Sequence, residues 1–179
     1  MEVFLKITGT AKTDTEDTTE TLTGGTCYRK NGLIYLFYDG ADDDTPSLIT
    51  KHRITISGER VEIQKTGAVR SLMIVERGEV HACDYATPFG ILKLEFAGHG
   101  ITVTEERTRI RIALSYDIRI EGNRISSNYL EIEATPYREG EYFPEPEPAG
   151  TGADRADERP KAGTAETETG NGANPNNFG

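Results

Sequence analysis

Residues 109–121, RIRIALSYDIRIE, alternate between apolar and polar side chains along their length. Apolar residues or tyrosine occupy every even position from Ile110 to Ile120, and charged residues occupy most of the odd ones. A period of two sustained this long is typical of one extended strand with an apolar face and a polar face. The pattern predicts a strand long enough to curve around a barrel, and it does not fit a helix.

Similar alternation recurs along the chain and predicts ten or eleven strands, with no helix longer than one turn. Turn sequences such as RKNG, SGER, RGE, FAGHG and EGNR separate the segments, and several connections are short enough for antiparallel hairpins. The predicted strands cover residues 3–7, 21–29, 33–38, 49–57, 60–65, 70–76, 79–86, 91–96, 101–105, 109–121 and 127–135.

So many closely spaced strands predict an all-β fold, an antiparallel meander closed into a β-barrel of about 8–10 strands. Closure is favoured because it removes the exposed edges of so large a sheet. A two-sheet sandwich is the alternative architecture. A barrel of this size is either packed solid or holds one small ligand, and the strand pattern does not decide between the two.

The composition changes at residue 144. Residues 144–179 contain no Ile, Leu, Val or Met, carry five of the eight prolines and have Phe178 as their only aromatic residue. Such a segment cannot bury enough apolar surface to offset the entropy lost on ordering, so we expect a disordered, acidic tail rich in Pro, Gly and Thr. Residues 1–143 then form one domain, which is large enough for a single core.

The formal net charge of -10 comes mostly from the C-terminal end, because residues 139–179 hold nine acidic and three basic side chains. The rest of the chain is close to balanced and has no basic stripe, which disfavours nucleic acid as a partner. The sequence has neither a signal-peptide pattern nor an apolar run of the roughly 20 residues that span a bilayer. We therefore expect a cytoplasmic protein without membrane association. Cys27 and Cys83 are expected as reduced thiols, with a single disulfide between them as the alternative.

A break interrupts the strand pattern at Thr87-Pro88-Phe89-Gly90. Proline has no amide hydrogen for a sheet ladder, and glycine accepts a positive φ, so the four residues are suited to ending one strand and starting the next. A strained functional loop is the alternative interpretation.

Two long stretches, residues 66–95 and 110–134, resemble the YwiB-like family of uncharacterised bacterial proteins. This resemblance implies a calycin-like, lipocalin-like barrel and no established activity, substrate or catalytic set. The sequence lacks the Gly-x-Trp signature of lipocalins and the Arg-x-Tyr pair that holds fatty-acid carboxylates. The matching positions are Gly67, Met73, Gly78, Tyr85, Thr87, Pro88, Gly90, Leu114, Tyr116, Asp117 and Gly122.

Arginines and aromatic residues are the candidates for binding a ligand. Turned inward, the arginines of the long strand would make an anion-binding lumen, completed by Asp117 or tyrosines. Turned outward, they would form a solvated face paired with neighbouring acids, and this is the favoured interpretation because polar strand faces usually lie on the outside. The segment IYLFYDG is apolar on both faces, so its second face is either a protein contact or covered by the chain's own ends. The candidate lumen or mouth residues are Tyr35, Phe37, Tyr85, Arg109, Arg111, Tyr116 and Arg119.

His81 and Cys83 form the most reactive pair in the sequence, since they project to one face of a strand. A zinc site needs three or four ligands, and Cys27, His52 and His99 have no motif spacing relative to this pair. An ordinary strand with a buried cysteine is the favoured interpretation, and we expect no metal, no cofactor and no catalytic residues. Enzymatic use of the pair is retained as a third hypothesis.

The leading functional hypothesis is a non-catalytic barrel that binds a small ligand, anionic or amphipathic, in its lumen. The alternative is a structural or protein-interaction module with a solid core, in which the aromatic strand and the tail contact a partner. The sequence is compatible with a monomer or a homodimer.

Overall fold

The computed structural model describes residues 1–41 and 49–137. These residues belong to one compact unit, Met1–Ala149, and Gly150–Gly179 form a second unit that lies outside the described residues. The predicted tail, residues 144–179, therefore also lies outside them. In the described part of the chain, no helix has the length and hydrophobicity needed to cross a membrane.

Ten β-strands make up the described fold, in one antiparallel sheet. Most strands contain a period-two stretch of the sequence, because alternating residues can bury one face and solvate the other. The strands are β1 (Glu2–Lys12), β2 (Glu16–Lys30), β3 (Leu33–Ala41), β4 (Ile49–Ser57), β5 (Arg60–Gly67), β6 (Ser71–Glu76), β7 (Val80–Thr87), β8 (Gly90–Glu106), β9 (Arg109–Ile120) and β10 (Asn123–Pro136).

The sheet runs in the order β6-β5-β4-β3-β2-β1-β10-β9-β8-β7, so the first strand pairs with the last. The two outermost strands, β6 and β7, follow each other in the chain and approach across a short seam. There, Arg70 and Ala86 exchange two main-chain hydrogen bonds of 3.0 and 2.9 Å. The predicted all-β barrel is therefore confirmed as a nearly closed ten-strand barrel, and the sandwich alternative is not formed.

The predicted turn FAGHG is not a turn. Residues 91–96 and 101–105 belong to one strand, β8, which continues through a β-bulge between Gly98 and Gly100. Gly98 lies against the connection between β6 and β7: its N–H donates to Glu79 O and its carbonyl accepts from Gly78 N–H, both at 3.0 Å. The glycines thus allow a close approach of two backbones, which the sequence pattern alone does not distinguish from a chain reversal.

The Thr87–Gly90 break is a turn between β7 and β8, as its proline and glycine predict. The Thr87 hydroxyl accepts a hydrogen bond from Phe89 N–H at 3.2 Å and donates one to Gly90 O at 3.1 Å. Gly90 has a φ of +144°, a conformation that favours glycine. The turn leaves the Phe89 side chain 100% exposed.

One continuous apolar core fills the barrel at the end where β9 begins. Even positions of β3, β4, β9 and β10 and odd positions of β1 and β5 point into it. The largest fully buried side chains are Leu5, Leu36, Ile54, Ile112, Leu114, Ile132, Val61, Val75 and Cys27.

Inward-facing side chains become more exposed toward the opposite end of the barrel. Along β9, Ile112 and Leu114 are fully buried, Tyr116 and Ile118 are half-buried, and Ile120 is 38% exposed. Along β8, the same direction leads from the buried Phe96 to Leu92, which is 53% exposed. The barrel is therefore packed at one end and open at the other, and we call the end with the 87–90 and 120–123 turns the open end.

The close approach of the Gly98 and Glu76 main chains predicts that a larger residue at position 98 lowers stability. A Cβ at this position would overlap the Glu76 carbonyl oxygen and lie 2.8 Å from the Glu76 carbonyl carbon. We expect Gly98→Ala to lower the free energy of unfolding by about 2 kcal/mol or more, since backbone must move to relieve the clash. Gly24→Ala is the control, because a Cβ at Gly24 meets no atom within 4 Å. Urea denaturation of both variants checks this, and equal stability of the two would contradict the described closure.

Candidate functional site

Four polar or ionisable side chains form a group on the inward face near the open end. Tyr38, His52, Lys65 and Tyr85 come from β3, β4, β5 and β7, and we call them the inner polar ring. The register places Tyr38 opposite His52 and His52 opposite Lys65. Each lies two positions along its strand from a buried apolar residue, so folding of the core turns each side chain inward.

Direct contacts connect the members of the ring. The rings of Tyr38 and His52 stack with their centroids 4.3 Å apart and an interplanar angle of 21°. The Lys65 ammonium lies 5.7 Å from the centroid of the Tyr85 ring, within the range of a cation–π interaction. Tyr116, on β9, also faces inward, and the centroid of its ring lies 5.9 Å from that of the Phe96 ring. These contacts fix the aromatic rings while their polar atoms remain in the half-buried interior.

Burial sets the protonation states of the site. It raises the pKa of Tyr38 and of Tyr116 to about 12, so both hydroxyls keep their protons at neutral pH. Burial also lowers the pKa of His52 to about 4, which keeps the imidazole neutral. The pKa of Lys65 is lowered by burial as well, and the Cys83 thiol opposes that shift. Protonated tyrosine hydroxyls and a neutral imidazole are therefore available at neutral pH, beside the Lys65 amine.

Two of these groups lack the usual compensation for burial. No carboxylate of the described residues contributes to the pKa of Lys65. Within the same residues, His52 Nδ1 is buried without a hydrogen-bond partner. Buried charges and polar atoms are normally paired, because leaving them unpaired costs free energy. The inner polar ring therefore has unused capacity to bind an anion.

His81 and Cys83 do share one strand face, but each has a separate environment. His81 Nε2 lies 3.0 Å from Glu76 Oε2 across the seam. Cys83 is buried, and that burial raises the pKa of its thiol despite a hydrogen bond from the main chain of Leu72. Both cysteines are free thiols. Across residues 1–41 and 49–137, no three His, Cys, Asp or Glu side chains are grouped so that they could hold a metal ion.

The structure separates the seven candidate residues from sequence into two groups. Tyr85 and Tyr116 face inward near the open end. Tyr35, Phe37, Arg109, Arg111 and Arg119 lie on the outer face, because the apolar even positions of β3 and β9 occupy the interior.

The three outward arginines pair with acids, so they do not line the interior of the barrel. Arg109 Nη2 lies 2.9 Å from Glu106 Oε2, and Arg111 Nη2 lies 3.0 Å from Glu133 Oε2. The partner of Arg119 is Asp117, at 3.9 Å. This is the outward, solvated arrangement that the sequence favoured. A ligand-binding role for any of the seven residues stays an untested prediction.

Sequence reasoning missed Tyr38, His52 and Lys65. The period-two pattern did mark these positions, because each lies two residues from a buried apolar residue on its own strand. The buried residues are Leu36, Ile54 and Ile63 respectively. What was needed was the pairing register of β3, β4 and β5, which aligns the three positions side by side.

The fold and the site together define a structural class: an all-β barrel, open at one end, with a group of polar side chains inside it. Residues 5–132 match the family described as a domain of unknown function (DUF1934), and the chain belongs to this family. It is also similar to the crystal structure of the ywiB protein from Bacillus subtilis, with a TM-score of 0.69 and 21% identity over 76% of this chain and 92% of that one. The predicted YwiB-like resemblance is thereby confirmed. A search of curated proteins found no match.

The lowered pKa of His52 predicts acid sensitivity. Between the unfolded pKa of 6.5 and the folded value of about 4, the unfolded chain binds more protons at this position, so stability falls as the pH decreases through that window. We expect His52→Phe, which keeps a ring beside Tyr38, to remove up to about 2 kcal/mol of the loss between pH 7 and pH 4.5. Urea unfolding at the two pH values measures it. Equal pH dependence in both proteins would mean that His52 is not buried neutral.

Proposed function

We propose that this protein is a non-catalytic binding protein for a small anionic amphiphile, held in the open end of the barrel. The observation that carries the proposal is Lys65, an inward-facing, half-buried basic side chain to which the described residues offer no carboxylate partner. An anionic group of a ligand would supply the missing countercharge, and charge-assisted hydrogen bonds in such a setting are strong.

Neutral donors on the same inward face support the same ligand chemistry. Tyr38 and Tyr116 keep their hydroxyl protons at neutral pH, so each can donate to a carboxylate, sulfonate or phosphate oxygen. Neutral His52 lies in the same group, and its buried Nδ1 has no hydrogen-bond partner among the described residues. A few converging polar groups in a largely apolar cavity are typical of small-molecule sites.

Apolar side chains beside the inner polar ring would contact the rest of an amphiphile. Leu92 and Ile120 face inward but are exposed, and Leu94 and Ile118 behind them are half-buried. Covering these side chains with a ligand's hydrocarbon part would remove apolar surface from water. Binding is favoured over catalysis because the raised pKa of the Cys83 thiol keeps the nearest nucleophile protonated.

Removal of the Lys65 charge tests the proposal. The probe is 1-anilinonaphthalene-8-sulfonate, an anionic fluorescent amphiphile, titrated into the purified full chain. We expect Lys65→Met to weaken its binding about 10-fold or more, as loss of a hydrogen bond to a charged group implies. Lys93→Met is the matched control, because Lys93 lies on the outer face of β8 and pairs with Asp84; its affinity should stay within about twofold of wild type.

A neutral analogue of the probe separates charge recognition from loss of the cavity. N-phenyl-1-naphthylamine lacks the sulfonate, so Lys65→Met should bind it as well as the wild type does. Equal loss of both probes would indicate a distorted barrel. Unchanged binding of the sulfonate by Lys65→Met would reject the anion site.

A further inference from the structure

Three aromatic side chains form a stack on the outside of the barrel. Tyr28 on β2 stacks on Tyr35 with centroids 4.9 Å apart, and on Phe37 with centroids 5.6 Å apart. The interplanar angles are 17° and 7°, and Tyr28 is 45% exposed. We call these three residues the outer aromatic stack. Aromatic rings held in parallel on a surface are a typical element of a peptide-binding face.

A cation lies directly beside the stack. Arg53 on β4 is paired in register with Phe37, and its side chain is exposed. A shallow depression of about 330 Å³ runs past Tyr35 and Arg53 to Arg60. Arg60 is engaged by Glu62 and Glu76, whereas the described residues provide no ion pair for Arg53. The surface therefore combines apolar ring faces with one available positive charge.

The described chain ends close to this surface. Tyr137 N–H donates to Glu2 O at 3.0 Å, so Tyr137 continues β10 alongside β1. A second depression, of about 350 Å³, leads from Tyr137 over Gly24 and Thr26. Thr26 pairs with Glu2 on one side and Phe37 on the other. Phe37 is therefore three strand spacings from Tyr137, about 14 Å.

The sequence that follows Tyr137 is complementary to the stack and to Arg53. It reads REGEYFPEPEPA for residues 138–149, with four glutamates and a single basic residue at its start. Alternate prolines favour the extended polyproline II conformation, whose rings pack on aromatic side chains at little cost in entropy. Residues 138–143 can span up to about 20 Å, which exceeds the distance to Phe37.

We propose that Phe143–Ala149 binds across the outer aromatic stack of its own chain, with Glu145 or Glu147 paired to Arg53. Because the segment is tethered by six residues, its effective concentration at the surface is on the order of millimolar, and modest contacts are enough for occupancy. The site lies on the outside of β2, β3 and β4, so the proposal is independent of the ligand site inside the barrel.

Backbone dynamics of the full chain test this docking. NMR order parameters at Glu145 and Glu147 should exceed about 0.6 in the wild type. In Tyr28→Ala, the order parameters at Glu145 and Glu147 should fall to those measured at Glu166 and Glu168, which serve as the internal reference in the same sample. Arg53→Gln should lower them in the same direction. Arg70→Gln, which removes an exposed arginine elsewhere on the barrel, should leave them unchanged.

Three results would overturn the proposal. The first is a wild-type order parameter at Glu145 and Glu147 no higher than at Glu166. The second is a high value that persists in Tyr28→Ala while chemical shifts confirm an intact barrel. The third is a value that falls on tenfold dilution, because it would mean that the segment binds a second copy of the chain.

Discussion

The pairing of the first strand with the last holds this fold together. From Val3 opposite Pro136 to Lys12 opposite Ser127, β1 and β10 join a half made of β1–β6 to a half made of β7–β10. Without that ladder each half would be an open sheet with exposed edges. With it, the sheet curves until Arg70 meets Ala86, and only then do Lys65 on β5 and Tyr85 on β7 face each other across an interior.

The strand pattern predicted most of the fold because period two is a local property. Residues 109–121 illustrate it, since their apolar positions are those that the core buries. The merging of two predicted strands at Gly98 was not predictable in this way, because the bulge depends on a main-chain contact with the distant Glu79. A glycine-rich stretch reads alike whether the chain reverses there or another backbone approaches.

The candidate site was harder to predict than the fold. Period two divides a strand into two faces without saying which is inside, and IYLFYDG is apolar on both. Tyr35 and Phe37 consequently stood out in the sequence, although Tyr38 is the residue that faces His52. Lys65 was overlooked because a lysine in a strand usually marks the solvent side. Its inward position follows only from the register of β4 and β5, which is tertiary information.

The seam between β6 and β7 has a consequence for the connectivity of the chain. The two ends of the described barrel are neighbours, since Met1 exchanges main-chain bonds with Cys27 and Tyr137 bonds to Glu2. A circular permutant that links Tyr137 to Met1 and opens the connection between β6 and β7 would place every strand beside its neighbour in sequence. The pairing that spans nearly the whole domain would become an ordinary hairpin. Its lower contact order would speed folding, while the same ten strands enclosed the same interior.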